Sequence, residues 1–346
     1  MTGRFDLADQ ARLDFALALR QQWARRVYPS LVEQVRQRGD ASTDSIRATR
    51  VYPWFGWLER NAQKQLWRAV SDAVRNEPPP ADPDSDIGEL DLDPTLELPA
   101  WYTDVDIHVQ PEGIWSSDQA ARVYELGAKL VMLGENDDYL FHQLFVDTAV
   151  PDGSRRRIVD LGCGFGKSTR PFKQRWPDAD VIGVDLAAPV LRLAHRHAVA
   201  AGVPIRYLQR DARRTGLESA SVDVVSATML VHELPPEVLS EVLVEAGRLL
   251  APGGVLRILD FQPTGDPIRD LAMIEHGKRN NEPYMPMLFA TDVPELCRRA
   301  GLVDARWVAF DERGTGRLDT AAWPRRPEWH FPWSVLEARK PEENHE

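Results

Sequence analysis

Three kinds of residue in this chain have the types and spacing for chemistry. The first is a glycine loop, Asp160-Leu161-Gly162-Cys163-Gly164-Phe165-Gly166, directly after an apolar run. Glycines there let the backbone turn tightly and come close to a ligand. The second is a pair of acids that end two further apolar runs, Asp185 in "VIGVD" and Asp211 in "YLQRD". A carboxylate at Asp185 can accept both hydroxyls of a ribose, and one at Asp211 can accept an adenine amino group. The third is His232-Glu233 after "VDVVSATMLV", two side chains able to move a proton.

Dinucleotides, nucleoside triphosphates and S-adenosylmethionine (SAM) all use glycine loops of this general kind. A P-loop is excluded by Leu161, which stands where G-x-x-x-x-G-K-[ST] needs its first glycine. The third glycine also arrives one residue early for G-x-G-x-x-G. Asp185 alone does not discriminate, because dinucleotide enzymes use an acid at the same place.

Apolar runs must position these residues. "RIVDLG", "ADVIGVDL", "IRYLQRD", "VDVVSATML", "GGVLRILDF" and "FPWSVLEAR" read as strands. Helical stretches such as "APVLRLAHRHAVAAG", "PPEVLSEVLVEAGRLLAPGG" and "TDVPELCRRAG" alternate with most of them, and a Pro-Gly-Gly turn precedes the fifth strand. That alternation specifies a mostly parallel sheet with helices on both faces. Ligands on such sheets bind beyond the carboxyl ends of the strands, where the loop, both acids and His232 would meet.

The ordered run "VDLGCGFG", "GVDL", "QRDARR", "VDVVSATMLVHEL" and "RLLAPGGVL" resembles the class I SAM-dependent methyltransferases, closely over 155–262 and plausibly on to 340. The resemblance implies an α/β, Rossmann-like, seven-stranded, mostly parallel sheet flanked by helices. It implies that Gly162, Cys163 and Gly164 line the methionine part of SAM, that Asp185 holds the ribose and Asp211 the adenine amine, and that Leu186 and Ala212 pack beside the ring. Asp160, Gly166 and Met229 complete the cofactor set, with S-adenosylhomocysteine as product. Methyl transfer from a sulfonium is an in-line displacement that needs no metal, and no metal site is expected. His232, which ordinarily titrates near neutrality, is the candidate base beside the methyl group. Shaping the pocket is its alternative role. Glu233 is a second candidate, or a helix cap near Pro235.

Other stretches can line a substrate site. "MIEHGKRNNEPYMPM" (273–287) offers His276, Asn280, Asn281, Glu282 and Tyr284. "YTDVDIHVQPEGIW" offers Tyr102, His108 and Gln110 as a segment able to close over cofactor or substrate. Tyr139 and His142 precede the glycine loop, as substrate contacts or as helix packing.

Residues 1–76 read as a helical accessory region, for dimerisation or as a lid. Phe15, Leu19, Trp23, Val27, Leu31 and Val35 recur every fourth residue as an apolar stripe, and "YPWFGW" (52–57) reads as core, dimer surface or substrate wall. Residues 77–115 are an acidic, proline-rich linker and loop, expected to be exposed and extended from 77 to 99. The methyltransferase domain is set at 116–340. "SSDQAARVYELGAKLVML", capped by Ser117 or Asp118 and ended by Gly134, and "DDYLFHQLFVDTAV" are its first helices.

The chain has 346 residues, a net charge of −11 and two cysteines, Cys163 and Cys297. That excludes a disulfide framework and disfavours nucleic acid or anionic lipid as partner. No apolar run reaches the roughly 20 residues of a membrane span. A cytoplasmic homodimer that methylates a small molecule at O, N, S or C is the expectation. A SAM-binding module without transfer activity and a protein methyltransferase are the alternatives.

Overall fold

The computed structural model describes residues 5–75, 77, 83, 85–136 and 139–342. Four helices come first: α1 (Leu7–Gln22), α2 (Tyr28–Arg38), α3 (Thr43–Arg47) and α4 (Tyr52–Arg75). The Asp6 carboxylate accepts from the Asp9 N–H and caps α1. A π-helical turn, Trp23–Val27, joins α1 to α2, and Gly39 ends α2 at φ +66°. The expected apolar stripe holds at Trp23, Leu31 and Val35 but not at its start. Phe15 is 64% exposed, while Leu13, Ala16 and Arg20 are buried ahead of Trp23, Tyr28, Leu31 and Val35. A four-residue spacing drifts about 40° per step on a 3.6-residue helix, so a long stripe of that kind winds off the buried face.

A short strand, β1 (Glu89–Asp91), follows, then α5 (Ala100–Thr103), α6 (Asp118–Val131) and α7 (Leu140–Ala149). The Ser117 hydroxyl accepts from Ala120 N at 3.1 Å and starts α6. Gly134, at φ +74°, closes the turn after it with a bond to Lys129 O.

The remaining strands are β2 (Arg157–Leu161), β3 (Asp180–Asp185), β4 (Arg206–Gln209), β5 (Val222–Thr228), β6 (Leu250–Phe261), β7 (Val303–Asp311), β8 (Gly316–Arg317) and β9 (Trp333–Arg339). Helices α8 (Thr169–Arg175), α9 (Ala188–Ala200), α10 (Pro236–Leu249), α11 (Pro267–Arg279), α12 (Met285–Leu288) and α13 (Val293–Arg299) connect them. The order across the sheet is β1-β4-β3-β2-β5-β6-β9-β7-β8. The first six run parallel, and β9, β7 and β8 join antiparallel.

Among the described residues the sheet therefore has nine strands rather than seven. β8 is a two-residue return on β7. β1 comes from the acidic segment expected to be exposed and extended. It pairs with β4 because its acids meet arginines of that sheet edge, Glu89 with Arg206 and Asp91 with Arg210. Pro78–Pro80 of that segment lie outside the described residues. The Pro-Gly-Gly stretch also differs from a free turn: β6 begins at Leu250, paired with Val222, and a register irregularity absorbs the extra residues before Val224.

Candidate active site

The carboxyl ends of β2, β3, β4 and β5 converge on one cleft of about 860 Å³. Its wall includes Gly162, Cys163, Gly164, Asp185, Leu186, Asp211, Ala212 and Met229, eight of the ten expected cofactor residues, and also Glu233. Gly162 and Gly164 stand at φ +64° and +52°, which side chains rarely adopt. The Asp185 carboxylate accepts from Gly164 N and Ala187 N, both at 2.9 Å. Burial pushes its pKa up to about 6. The Cys163 thiol is buried, and burial raises it well above its ordinary value, so it is no nucleophile.

Asp160 and Gly166 lie behind this wall rather than in it. Asp160 is fully buried and accepts from the Ser168 and Thr169 hydroxyls at 2.7 Å each, which pins the end of the loop. A Cβ on Gly166 would sit 2.4 Å from the Tyr207 hydroxyl, so this glycine serves packing. Asp211 lines the cleft, but its carboxylate is chelated by the Arg213 guanidinium at 2.7–3.1 Å.

A second chamber of about 640 Å³ adjoins the first. Tyr124, Lys167, Met229 and Glu233 line both. Its apolar walls are Trp67 of α4, Ala128, Val131 and Met132 around α6, and Phe261, Phe331 and Trp333. Its polar side is a chain of alternating imidazoles and carboxylates. His232 Nδ1 lies 2.7 Å from Asp260 Oδ1, and His232 Nε2 lies 3.8 Å from Glu233. His108 sits 3.0 Å from Glu233 through Nε2 and 2.9 Å from Glu282 through Nδ1. His276 stands 3.8 Å from Glu282 and 2.7 Å from Glu59 of α4.

These pairings set the charges. Burial alone would depress both His108 and His232. The Glu282 and Glu233 charges override it at His108, which rises to about 10, and Asp260 overrides it at His232, which rises to about 9. His232 thus does not titrate near neutrality as its type suggested. Lys167 moves the other way: burial lowers it to about 8.

Residues 100–115 cross over both chambers as a strap. Trp101, Tyr102 and Ile114 line the first and His108 lines the second. Gln63 Nε2 donates to His108 O, Asn281 Nδ2 to Asp106 O, Tyr284 Oη to Trp101 O and Gln110 Nε2 to Ala120 O. Asn281 and Tyr284, expected as substrate contacts, therefore hold the strap instead of lining a chamber. His276 and Glu282 do line one. Tyr139 and His142 line neither: His142 is fully buried near Asn136, and Tyr139 packs edge-on against Phe165.

Sequence reasoning missed Trp67, Gln63, Tyr124, Lys167, Asp260, Phe261, Phe331 and Trp333. Asp260 carried a usable signal, as an acid at the end of the apolar run "VLRIL". Trp67 carried none, because one tryptophan on a helical stripe reads as core.

Residues 158–254 match the family model described as a methyltransferase domain. The chain is 34% identical over 140 residues to a demethylmenaquinone methyltransferase of Thermus thermophilus, covering 40% of this chain and 61% of that one. It is 39% identical over 109 residues to a trans-aconitate 2-methyltransferase of Azoarcus sp., covering 32% of this chain and 40% of that one. It therefore spans less than two thirds of either relative. A solved Haemonchus contortus phosphoethanolamine N-methyltransferase 2 with S-adenosyl-L-methionine is 15% identical, at a TM-score of 0.41, over 58% of this chain and 52% of that one.

Proposed function

We propose that this chain, which carries a class I SAM-dependent methyltransferase domain over residues 158–254, transfers the methyl group of SAM to a small molecule held in the second chamber. The observation that carries the reading is the common wall: Tyr124, Lys167, Met229 and Glu233 border both the glycine-loop cleft and the adjoining chamber.

The cleft residues fit the cofactor. Asp185 keeps lone pairs for two ribose hydroxyls beyond its two backbone bonds. The buried Trp101 Nε1 and Thr228 Oγ1, both from residues of the cleft wall, have no hydrogen-bond partner among the described residues. A Cβ on Gly164 would meet only Tyr124, at 3.8 Å, so a ligand can lie against this backbone. Lys167, at the junction of the chambers, suits the carboxylate of the methionine part. Asp211 would face the adenine, with Leu186 and Ala212 along its ring.

When bound, SAM supplies a methyl group on a good leaving group. The protein's part is to hold the acceptor atom about 3–3.5 Å from that methyl and in line with the breaking bond. Glu233 stands where the chambers meet, held by His108, and takes the acceptor's proton. His232 is a protonated donor at neutral pH, set in place by Asp260.

The names of the relatives support a small acceptor over a protein side chain. Cytoplasmic location and pairing of two chains through residues 1–76 belong to the same proposal. Trp54 and Trp57, 63% and 58% exposed, are the apolar surface that such pairing would cover. No helix among the described residues is long and apolar enough to cross a membrane.

Calorimetry with SAM, followed by assay of S-adenosylhomocysteine release across small phenols, thiols, amines and carboxylates, tests the reading. Binding and release with one acceptor class support it. Binding without release from any class moves the assignment to a module without transfer activity, and absence of binding removes it.

A further inference from the structure

Three observations on the second chamber bear on what enters it, and the inference from them rests on the methyl transfer proposed above. First, one side is a continuous aromatic surface. Phe261 stacks on Trp333 at 4.5 Å between centroids, and Phe331 lies 5.7 Å from Phe261 and 5.5 Å from Trp333. Such a surface favours a flat ring over a flexible chain.

Second, the charged groups of the chamber are already matched, apart from Lys167 at its border with the cleft, which the reading above gives to the methionine carboxylate. Both nitrogens of His108 are taken by Glu233 and Glu282, His232 by Asp260, and Glu59 by His276 and Arg279. A charged acceptor would have to break one of these pairs in a buried place, at a heavy electrostatic cost. An uncharged acceptor can enter without breaking one.

Third, Trp67 brings an unused donor. Its residue is 1% exposed and lines the chamber, and its Nε1 has no hydrogen-bond partner among the described residues. The opposite edge of the indole is the one against α6: a Cβ on Gly127 would sit 2.0 Å from Trp67 Cζ3. The nitrogen edge is turned away from that contact. Buried indole N–H groups ordinarily find an acceptor.

We propose that the acceptor is an uncharged hydroxylated aromatic ring with a second oxygen, that its reacting hydroxyl meets Glu233, and that its second oxygen accepts from Trp67 Nε1. The new bond runs from the hydroxyl oxygen to the methyl carbon. The electron pair of the methyl–sulfur bond goes to sulfur, giving S-adenosylhomocysteine, and the hydroxyl proton goes to Glu233. Trp67 is then a specificity residue supplied by the appended helices and not by the methyltransferase sheet.

The test compares 1-naphthol with a set of dihydroxynaphthalenes, and with aliphatic carboxylates and amines, on the full chain and on Trp67→Phe. The expected result is transfer to the hydroxyarenes and a KM for at least one diol roughly 5- to 10-fold below that of 1-naphthol, the effect of one buried hydrogen bond. Trp67→Phe removes that advantage, so that the diol and 1-naphthol KM values converge, and leaves SAM affinity by calorimetry unchanged, because Trp67 does not line the cofactor cleft. If the variant does not fold, the diol preference of the unmodified chain decides alone. Preference for carboxylates or amines overturns the inference and leaves methyl transfer standing, as does equal KM for diols and naphthol. No S-adenosylhomocysteine with any class overturns the inference together with the proposed function.

Discussion

His232 presents its Nδ1 to Asp260 Oδ1 at 2.7 Å, so the imidazole has only its Nε2 left for the chamber. Asp260 in turn is fixed by the backbone N–H groups of Val231 and Phe261, each at 2.9 Å. The pair is a rigid unit at the ends of β5 and β6.

That unit sets a pH limit. With His232 raised to about 9, turnover that needs its protonated imidazole as a hydrogen-bond donor falls as pH rises through about 9. Asp260→Asn removes the charge that raises His232. The falling limb of the kcat profile then moves toward the ordinary imidazole value of about 6.5, with SAM affinity little changed. A profile that instead rises through pH 9 in the native chain would make His232 the base.

Asp185 has the opposite sign. Burial raises it from 3.8 to about 6, so ionisation costs the free protein stability that is present below 3.8 and lost as pH rises through about 6. Ribose hydroxyls prefer the ionised form. SAM affinity should therefore climb as pH rises through about 6, with proton release on binding near that pH. Asp185→Asn should weaken SAM roughly 10- to 100-fold, the range of a charge-assisted hydrogen bond. Calorimetry in buffers of different ionisation enthalpy reads both effects.

Gly127 sets the depth of the acceptor chamber. A methyl group there would fall within 2.0 Å of the Trp67 ring and force it to move. Gly127→Ala should cost about 1–3 kcal/mol in urea unfolding. It should also raise acceptor KM several-fold while SAM affinity stays put, because Trp67 lines the second chamber and not the glycine-loop cleft.

His108 fastens the strap to Glu233 and Glu282. Its pKa is raised from 6.5 to about 10, so its stabilising effect is full below 6.5 and is lost as pH rises through about 10. The thermal midpoint of the native chain should fall across that window. His108→Gln should start lower and show a flatter slope. Its segment 100–115 should be cut faster by a protease, which checks that the loss is local.

The parallel sheet and the cofactor cleft were legible because β2 to β6 are apolar runs, each with a polar or glycine residue at its end or next to it. Asp160, Gly166 and Asp185 belong to one sequence pattern, yet only the structure separates the residue that faces the cleft from the two that brace it. β7 was missed although Val308 and Phe310 are fully buried in it, because Arg306 and Trp307 interrupt a clean alternation. The acceptor chamber was the least legible part. It is assembled from α4, the strap, α11 and the approach to β9, segments up to about 270 positions apart, and no local period records which of their side chains meet.

β1 has a bearing on where this protein can be cut. The family match starts at residue 158 and the first domain helix at 118, so either looks like a natural border. Both would strip residues 89–91 from β4 and leave a row of bare backbone donors and acceptors at the rim of a parallel sheet, where other chains can add. A shortened version begun at 118 should self-associate, whereas one begun near 85 keeps its rim covered but still lacks Trp67. Under the proposed reaction the minimum catalytic unit is thus larger than residues 158–254: the sheet holds the methyl donor, and Trp67 of the appended helices borders the chamber for what receives it.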